Sequence, residues 1–228
     1  FAWCDNLTSV TIPDSVTTIG DYAFYYCRSL TSVKIISDTM TELPEGIFSG
    51  CSNLVRVEVI SSEEGNLSHI GYAAFKDCVK LSKVILPDSV TNIEIGAFMG
   101  CTSLTEIDLP SGLEIIGGQA FEGAGLTSIR IPDGVVSISG KAFYYCTALE
   151  NIVLPEELTH IFRGAFTGSK MTSIVLPKPL RYIGDYAFNE CSSLETIFYC
   201  CTKEEGLQFT KEHHDDECFS SATFCYYS

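Results

Sequence analysis

The stretch LTSVTIPDSVTTIGDYAFYYC, residues Leu7 to Cys27, decides the fold, because close variants of it recur along most of the chain. The phenylalanine of its Ala-Phe pair returns every 22 or 23 residues, apart from two longer steps. A fixed period of this length predicts a solenoid, since one coil cannot bury its apolar side without coils above and below it. The recurring aromatic positions are Phe1, Phe24, Phe48, Phe75, Phe98, Phe121, Phe143, Phe166 and Phe188.

Each unit contains one segment with the alternation of a half-buried strand. In LTSVTI the apolar residues are expected to face inward, and Pro13 ends the strand because proline has no N–H for the ladder. An apolar residue and an isoleucine three positions apart, Val16 and Ile19 in the first unit, are expected to line the opposite wall of the core. The Ala-Phe element then turns the chain back, and a single helical turn is the expected conformation there.

A cysteine stands three residues after most of these phenylalanines. Ala124 and Ser169 replace it in two units, each of which is one residue shorter at that place. Equivalent side chains of stacked coils lie close together and point the same way. We therefore expect buried free thiols that hydrogen-bond backbone carbonyls at the turn, with a redox or metal-binding role as the alternative. This cysteine ladder comprises Cys4, Cys27, Cys51, Cys78, Cys101, Cys146 and Cys191.

The repeated pattern CxxLxxIxLPxxLxxIxxxAF resembles the BspA-type leucine-rich repeat, over a range from Phe1 to about Tyr199. The resemblance implies a leucine-rich repeat solenoid: a β-rich, curved, right-handed coil with a parallel concave sheet and about eight to nine repeats of 22–27 residues. Members of this family occur mainly in bacterial surface proteins and in those of some protozoan parasites, with roles in adhesion or surface recognition. The resemblance brings no catalytic residue and no cofactor.

The composition restricts the class of partner. The chain has 228 residues, with 29 acidic and 14 basic side chains and a formal net charge of −15. Phosphate binding requires a face of Lys and Arg, so nucleic acid is an unsuitable partner, whereas a basic or neutral partner is acceptable. The sequence contains no apolar run near the 18 residues that a membrane-spanning helix needs.

The repeat pattern divides the chain into a solenoid, residues 1–199, and a polar capping segment, residues 200–228. Because Phe1 falls inside a unit, the first coil is expected to be truncated. Four cysteines outside the ladder could staple the cap with disulfides, namely Cys200, Cys201, Cys218 and Cys225. The side chains expected to cover the open end of the core are Tyr199, Leu207, Phe209, Phe219 and Phe224.

Two other polar segments are weak candidates for sites. The insertion at Ser61–Asn66 places Glu63, Glu64 and Gly65 in an exposed acidic loop, with a contact site as the less favoured interpretation. The run from His213 to Cys218 has metal-ligating residue types but matches no zinc spacing, so a solvated loop is preferred. His69 and His160 belong to separate coils and are interpreted as exposed.

Catalysis is not indicated by any residue pattern. The serines do not lie in a nucleophile elbow, the histidines show no recognisable arrangement with Ser and Asp, and there is no phosphate-binding loop. We therefore interpret the chain as a non-enzymatic protein without cofactor or metal.

The outward side chains of the concave strands are the candidate binding residues, because they are free of core packing. Toward the C-terminal end Val153, Val175 and Phe198 fall in neighbouring coils, and a contiguous exposed apolar patch usually marks a contact surface. The equally weighted alternative is that the tail covers this patch. The candidate residues are Lys34, Arg56, Glu58, Lys83, Ile85, Glu106, Asp108, Arg130, Val153, Val175 and Phe198.

These observations favour a recognition or adhesion module, on the cell surface or secreted, that binds a protein through its concave face. The expected partner is a host extracellular matrix protein, a mucin, another surface protein or a glycan. One alternative is a structural spacer of a larger surface protein. Another is a carbohydrate-binding module that uses exposed tyrosines near the Ala-Phe turn, such as Tyr25 and Tyr26.

Overall fold

Two ladders of parallel strands run along opposite walls of a solenoid of about eight turns. The computed structural model describes residues 1–61, 65–199 and 223–226, and these residues contain strands and turns but no helix. The described chain is thus a β-rich solenoid of parallel strands, as the repeat pattern and the family resemblance predicted.

The longer strands form the first wall, and those from β1 to β15 begin two residues after the repeat leucine or, in one coil, Met171. Their inward residues are buried and their outward residues are exposed, as in the burial pattern of Ser32–Ile36. Pairing is parallel and in register, with Val33 opposite both Val10 and Val57. The strands are β1 Ser9–Ile12, β2 Ser32–Ile36, β4 Arg56–Ile60, β6 Lys83–Ile85, β9 Ser128–Arg130, β11 Asn151–Val153, β13 Ser173–Leu176, β15 Thr196–Tyr199 and β16 Thr223–Tyr226.

Two-residue strands form the second wall, in which each buried leucine or isoleucine follows a residue that is exposed or half-buried. Sequence alternation did not predict these strands, because two residues are too few to show a period of two. They are β3 Glu42–Leu43, β5 His69–Ile70, β7 Asn92–Ile93, β8 Ile115–Ile116, β10 Ser137–Ile138, β12 His160–Ile161 and β14 Tyr182–Ile183.

The Ala-Phe turns link successive coils by a third set of backbone hydrogen bonds, and the expected helical turn there is wrong. Around Phe24, the N–H groups of Tyr22, Phe24 and Tyr26 donate to the next coil at 2.8, 2.9 and 2.8 Å. Tyr22 and Tyr26 have φ of 55° and 54°, in the left-handed region. Left-handed residues two positions before and after the phenylalanine interrupt any helix, and they direct alternate N–H groups toward the neighbouring coil.

A column of stacked phenylalanines fills the core between the walls. From Phe24 to Phe188 each ring stacks on the next, with centroid separations from 5.2 to 5.6 Å. The seven rings from Phe48 onward have no solvent exposure. One aromatic side chain per coil therefore holds the coils at a nearly constant spacing.

The first wall is open at three places, and at two of them equivalent residues are 22 apart. Residues 104–109 form no strand, although their side chains keep the alternation, with Leu104 and Ile107 buried and Glu106 and Asp108 exposed. They pair with neither β6 nor β9, and β11 does not pair with β13. A turn shortened by one residue, at Ala124 or Ser169, precedes β9 and β13.

The C-terminal strand continues the first wall. β16 pairs in parallel with β15, placing Thr223 opposite Thr196 and Cys225 opposite Phe198. Tyr199 is buried, and its hydroxyl donates to the Leu180 carbonyl at 3.0 Å. The other cap residues expected from the sequence lie outside the described residues or side chains: Leu207, Phe209, Phe219, Phe224, Cys200, Cys201 and Cys218. Glu63 and Glu64 also lie outside them.

Candidate binding surface

The outward side of the first wall, here called the long-strand face, carries every candidate binding residue proposed from the sequence. Five of them, Lys34, Arg56, Glu58, Lys83 and Ile85, lie on the four-stranded sheet β1, β2, β4 and β6. Arg56 Nη2 lies 3.1 Å from Glu58 Oε2, so these two opposite charges neutralise each other locally. This part of the face is continuous, because its strands pair without interruption.

A groove opens in the long-strand face beside residues 104–109. It has a volume of about 530 Å³ and brings together Glu106, Asp108, Arg130 and Val153 from three successive coils. Asp133 adds a third carboxylate at the edge, and its Oδ1 lies 4.0 Å from Arg130 Nη2. We call it the acidic groove, since three carboxylates face one guanidinium.

A second groove of about 810 Å³ lies beside the acidic groove, where β11 and β13 do not pair. Val153 lines both grooves. Val153 and Val175 are 48% and 52% exposed, whereas nearly all other valines in the strands are buried. We call it the apolar groove. Its lining residues are Ile152, Val153, Leu154, Glu156, Glu157, Val175, Pro177, Lys178 and Pro179.

Phe198 lies beside this surface but does not line either groove. It is opposite Val175 on one side and Cys225 on the other, and it is half-buried. The tail strand β16 thus extends the sheet next to Phe198 and leaves Val175 exposed. The structure therefore places Val153 and Val175 on the same groove, and Phe198 lies next to Val175 outside that groove.

Sequence reasoning missed the grooves, although the sequence contains a signal for them. Two of the three openings involve a coil that lacks its ladder cysteine and is one residue short, at Ala124 and Ser169. Gly125 allows the first short turn to approach the preceding coil, because a Cβ there would lie 2.1 Å from the Thr102 carbonyl oxygen.

From Cys27 onward the cysteine ladder lies inside the core and has regular hydrogen bonds, whereas Cys4 is half-buried. Cys51 Sγ donates to the Phe24 carbonyl at 3.0 Å, and Cys146 Sγ to the Phe121 carbonyl at 3.0 Å. The same contact joins Cys27, Cys78, Cys101 and Cys191 to the phenylalanine of the preceding coil at 3.1 to 3.2 Å. Burial raises the pKa of Cys51 and that of Cys146 to about 12. Such thiols remain protonated and are poor nucleophiles.

The tyrosines near the Ala-Phe turns largely contact their neighbours. The Tyr22 hydroxyl donates to Glu45, which raises the pKa of Tyr22 to about 12, and the Tyr145 hydroxyl donates to Glu190 at 2.6 Å. Tyr25 and Tyr26 are half-buried and pack edge to face with a centroid separation of 4.5 Å. These contacts stabilise the coils and leave little free ring surface at Tyr25 and Tyr26.

The histidines in the described residues are half-buried rather than exposed. His69 Nδ1 lies 2.7 Å from Ser68 Oγ, and His160 Nδ1 lies 2.8 Å from Thr159 Oγ1. In the part of the chain that the structure describes, no three His, Cys, Asp or Glu side chains are grouped as metal ligands. The segment from His213 to Cys218 is outside that part.

The coil geometry and the comparison with protein families agree. The model of the BspA type leucine rich repeat region matches residues 1–67 and 68–195, in six copies. The chain belongs to this family. BspA-type repeats therefore account for both walls of the solenoid and for the phenylalanine column between them. No match was found among curated proteins.

Solved structures of other repeat proteins are similar to this one. A leucine rich cell surface protein from Faecalibacterium prausnitzii is 34% identical with a TM-score of 0.61, over 84% of this chain and 47% of that one. The chain thus spans about half the length of that relative. A leucine rich repeat protein from T. pallidum, 24% identical, has a TM-score of 0.65 over 95% of this chain and 87% of that one. At 24% identity, the similarity to the T. pallidum protein supports the fold alone.

The described residues include no helix that is long and apolar enough to cross a membrane.

Proposed function

We propose that this chain is the recognition part of a bacterial cell-surface adhesion protein, and that it binds a protein partner through the long-strand face. The family supports a surface role, as does the 34% identity to a leucine rich cell surface protein. The observation that carries the proposal is the pair Val153 and Val175, exposed across an open apolar groove. Apolar side chains left in water on a rigid scaffold are the usual anchors of a protein interface.

The solenoid acts by binding alone in this proposal. The turn hydrogen bonds and the phenylalanine column join its coils even where the first wall is open. The face is therefore preorganised, and little conformational entropy is lost on association. The two grooves would take side chains of the partner, while the continuous sheet of β1, β2, β4 and β6 would lie against its surface. No step of the proposal requires a cofactor, a metal or a nucleophile.

A matched pair of valines provides the test. Val136 and Val175 are both 52% exposed, but Val136 precedes β10 on the second wall. Val175→Asp should reduce binding to purified extracellular matrix proteins or mucins by at least about a hundredfold, or 2.8 kcal/mol, because a carboxylate would replace the apolar anchor. Val136→Asp should leave binding unchanged.

Surface plasmon resonance would measure the affinity of the parent and of both variants, after circular dichroism has shown that all three are folded. Equal loss in both variants, or loss in neither, would contradict the proposal. If no purified matrix protein or mucin binds the folded parent, the structural spacer becomes the better account.

A further inference from the structure

The charges around the two grooves are unbalanced. Five carboxylates, of Glu106, Asp108, Asp133, Glu156 and Glu157, face two cationic groups, of Arg130 and Lys178. Among the described residues, neither Glu156 nor Glu157 takes part in an ion pair or a side-chain hydrogen bond. The carboxylates of Glu156 and Glu157 are therefore available to a cationic group of a partner. The formal net charge of −15 adds a long-range attraction for cations.

The spacing of the coils that line the two grooves sets the length of the ligand. The phenylalanines of the four coils concerned, Phe98 to Phe166, have successive centroid separations of 5.3, 5.4 and 5.6 Å. An extended chain advances about 3.3 Å per residue, so about five residues cross the four coils. A peptide of this length can thus place one side chain in the apolar groove and charged side chains against the carboxylates that line the two grooves.

We propose, on the basis of the function proposed above, that the partner presents an extended cationic segment in which one apolar side chain is flanked by Lys or Arg. The apolar side chain occupies the space between Val153 and Val175, against Pro177 and Pro179. Basic side chains that precede it face Glu106, Asp108 and Asp133, and a basic side chain next to it faces Glu156 and Glu157, which lie in the same coil as Val153. Charge complementarity sets the partner class, and the apolar contact sets the position of the segment along the face.

Three fluorescent peptides test the proposal by anisotropy with the whole chain. KRSLSRK has both features, KRSSSRK lacks the apolar residue, and EESLSEE has the opposite charge. KRSLSRK should bind the parent at least about tenfold more tightly than either of the others. Its affinity should fall as the salt rises from about 0.15 to about 1 M, because the Debye length shortens from about 8 to about 3 Å.

Two charge-reversed variants separate local from overall electrostatics. Glu156→Lys with Glu157→Lys should weaken KRSLSRK at least about tenfold. Glu114→Lys with Asp185→Lys makes the same change in net charge at exposed sites away from the grooves, and it should change the affinity less than about twofold. Equal effects of the two variants would overturn the proposal, as would equal affinities of the three peptides or no binding of KRSLSRK.

These outcomes are distinct from failure of the proposed function. If Val175→Asp abolishes binding of a matrix protein while the peptides bind equally or not at all, the long-strand face is the binding surface but the cationic segment is wrong. If Val136→Asp and Val175→Asp have the same effect on a matrix protein, the face itself is wrong.

Discussion

At the scale of single residues, the side chains that repeat in every coil stabilise the fold. The phenylalanine positions, and the inward direction of the cysteines, could be predicted from the sequence because each has the same surroundings in each unit. The left-handed residues on both sides of each phenylalanine could not be predicted from apolar periodicity. The signal was present in glycines that flank it, such as Gly46 and Gly50 around Phe48 and Gly96 and Gly100 around Phe98.

The phenylalanine column predicts a large cost of truncation. Phe121 is fully buried between Phe98 and Phe143, at centroid separations of 5.3 and 5.4 Å. Phe121→Ala should lower the free energy of unfolding by about 3–5 kcal/mol, because it removes the contacts of both neighbouring rings and leaves a cavity. Phe121→Leu should cost less. Urea denaturation measures both, and a loss below about 1 kcal/mol for Phe121→Ala would contradict the role of the column.

The buried thiols predict a loss of stability at high pH. A thiol in the unfolded chain has a pKa of about 8.5, whereas burial raises the pKa of Cys51 and that of Cys146 to about 12 in the folded protein. Below pH 8.5 both states keep the proton and the full stability is present. As the pH rises from about 8.5 toward 12, the unfolded chain alone loses protons, so the stability falls.

A double variant isolates this effect from the titration of other groups. Each buried thiol contributes up to about 1.4 kcal/mol per pH unit. Cys51→Ser with Cys146→Ser should therefore lose stability less steeply than the parent between about pH 9 and 10.5. Serine is tolerated at this repeat position, because Ser169 occupies it in another coil. Urea midpoints across this range provide the measurement, and parallel slopes would show that the thiols do not control the alkaline loss.

At the scale of elements, a shortened turn accompanies two of the three openings in the first wall. The strands could be predicted by alternation, including LTEIDL at residues 104–109, which the structure shows unpaired on both sides. We attribute the opening toward β9 to the shortened turn at Ala124, which reduces the separation of equivalent residues from 23 to 22. No such shortening separates residues 104–109 from β6. There Glu106 and Asp108, both poor strand formers, oppose pairing.

Restoring the missing residue should close the opening toward β9. Replacing Ala124 and Gly125 by Cys-Thr-Ser, the turn of the preceding coil, should allow residues 105–108 to pair with β9. Their amides should then exchange more slowly with deuterium, approaching the rate of the paired strand β2. Ala124→Cys alone keeps the short turn and should leave exchange unchanged. Unchanged exchange in a folded lengthened variant would show that turn length is not the cause.

At the scale of the whole molecule, a continuous solenoid core has an interrupted surface. The family and the coil architecture could be predicted because repetition supplies the same information many times. The grooves arise from the few units that depart from the repeat, so averaging over units conceals them. Val153 and Val175 could be singled out as outward apolar residues, but the space between them depends on the missing pairing between β11 and β13.

Site-specific photo-crosslinking tests the central claim that the long-strand face is the binding surface. The photoreactive amino acid p-benzoylphenylalanine would be placed at position 175 or at position 136, which bear equally exposed valines on opposite walls. With a matrix protein or mucin bound, irradiation should attach the partner to position 175 and not to position 136. Attachment at position 136 alone, or equally at both positions, would contradict the account.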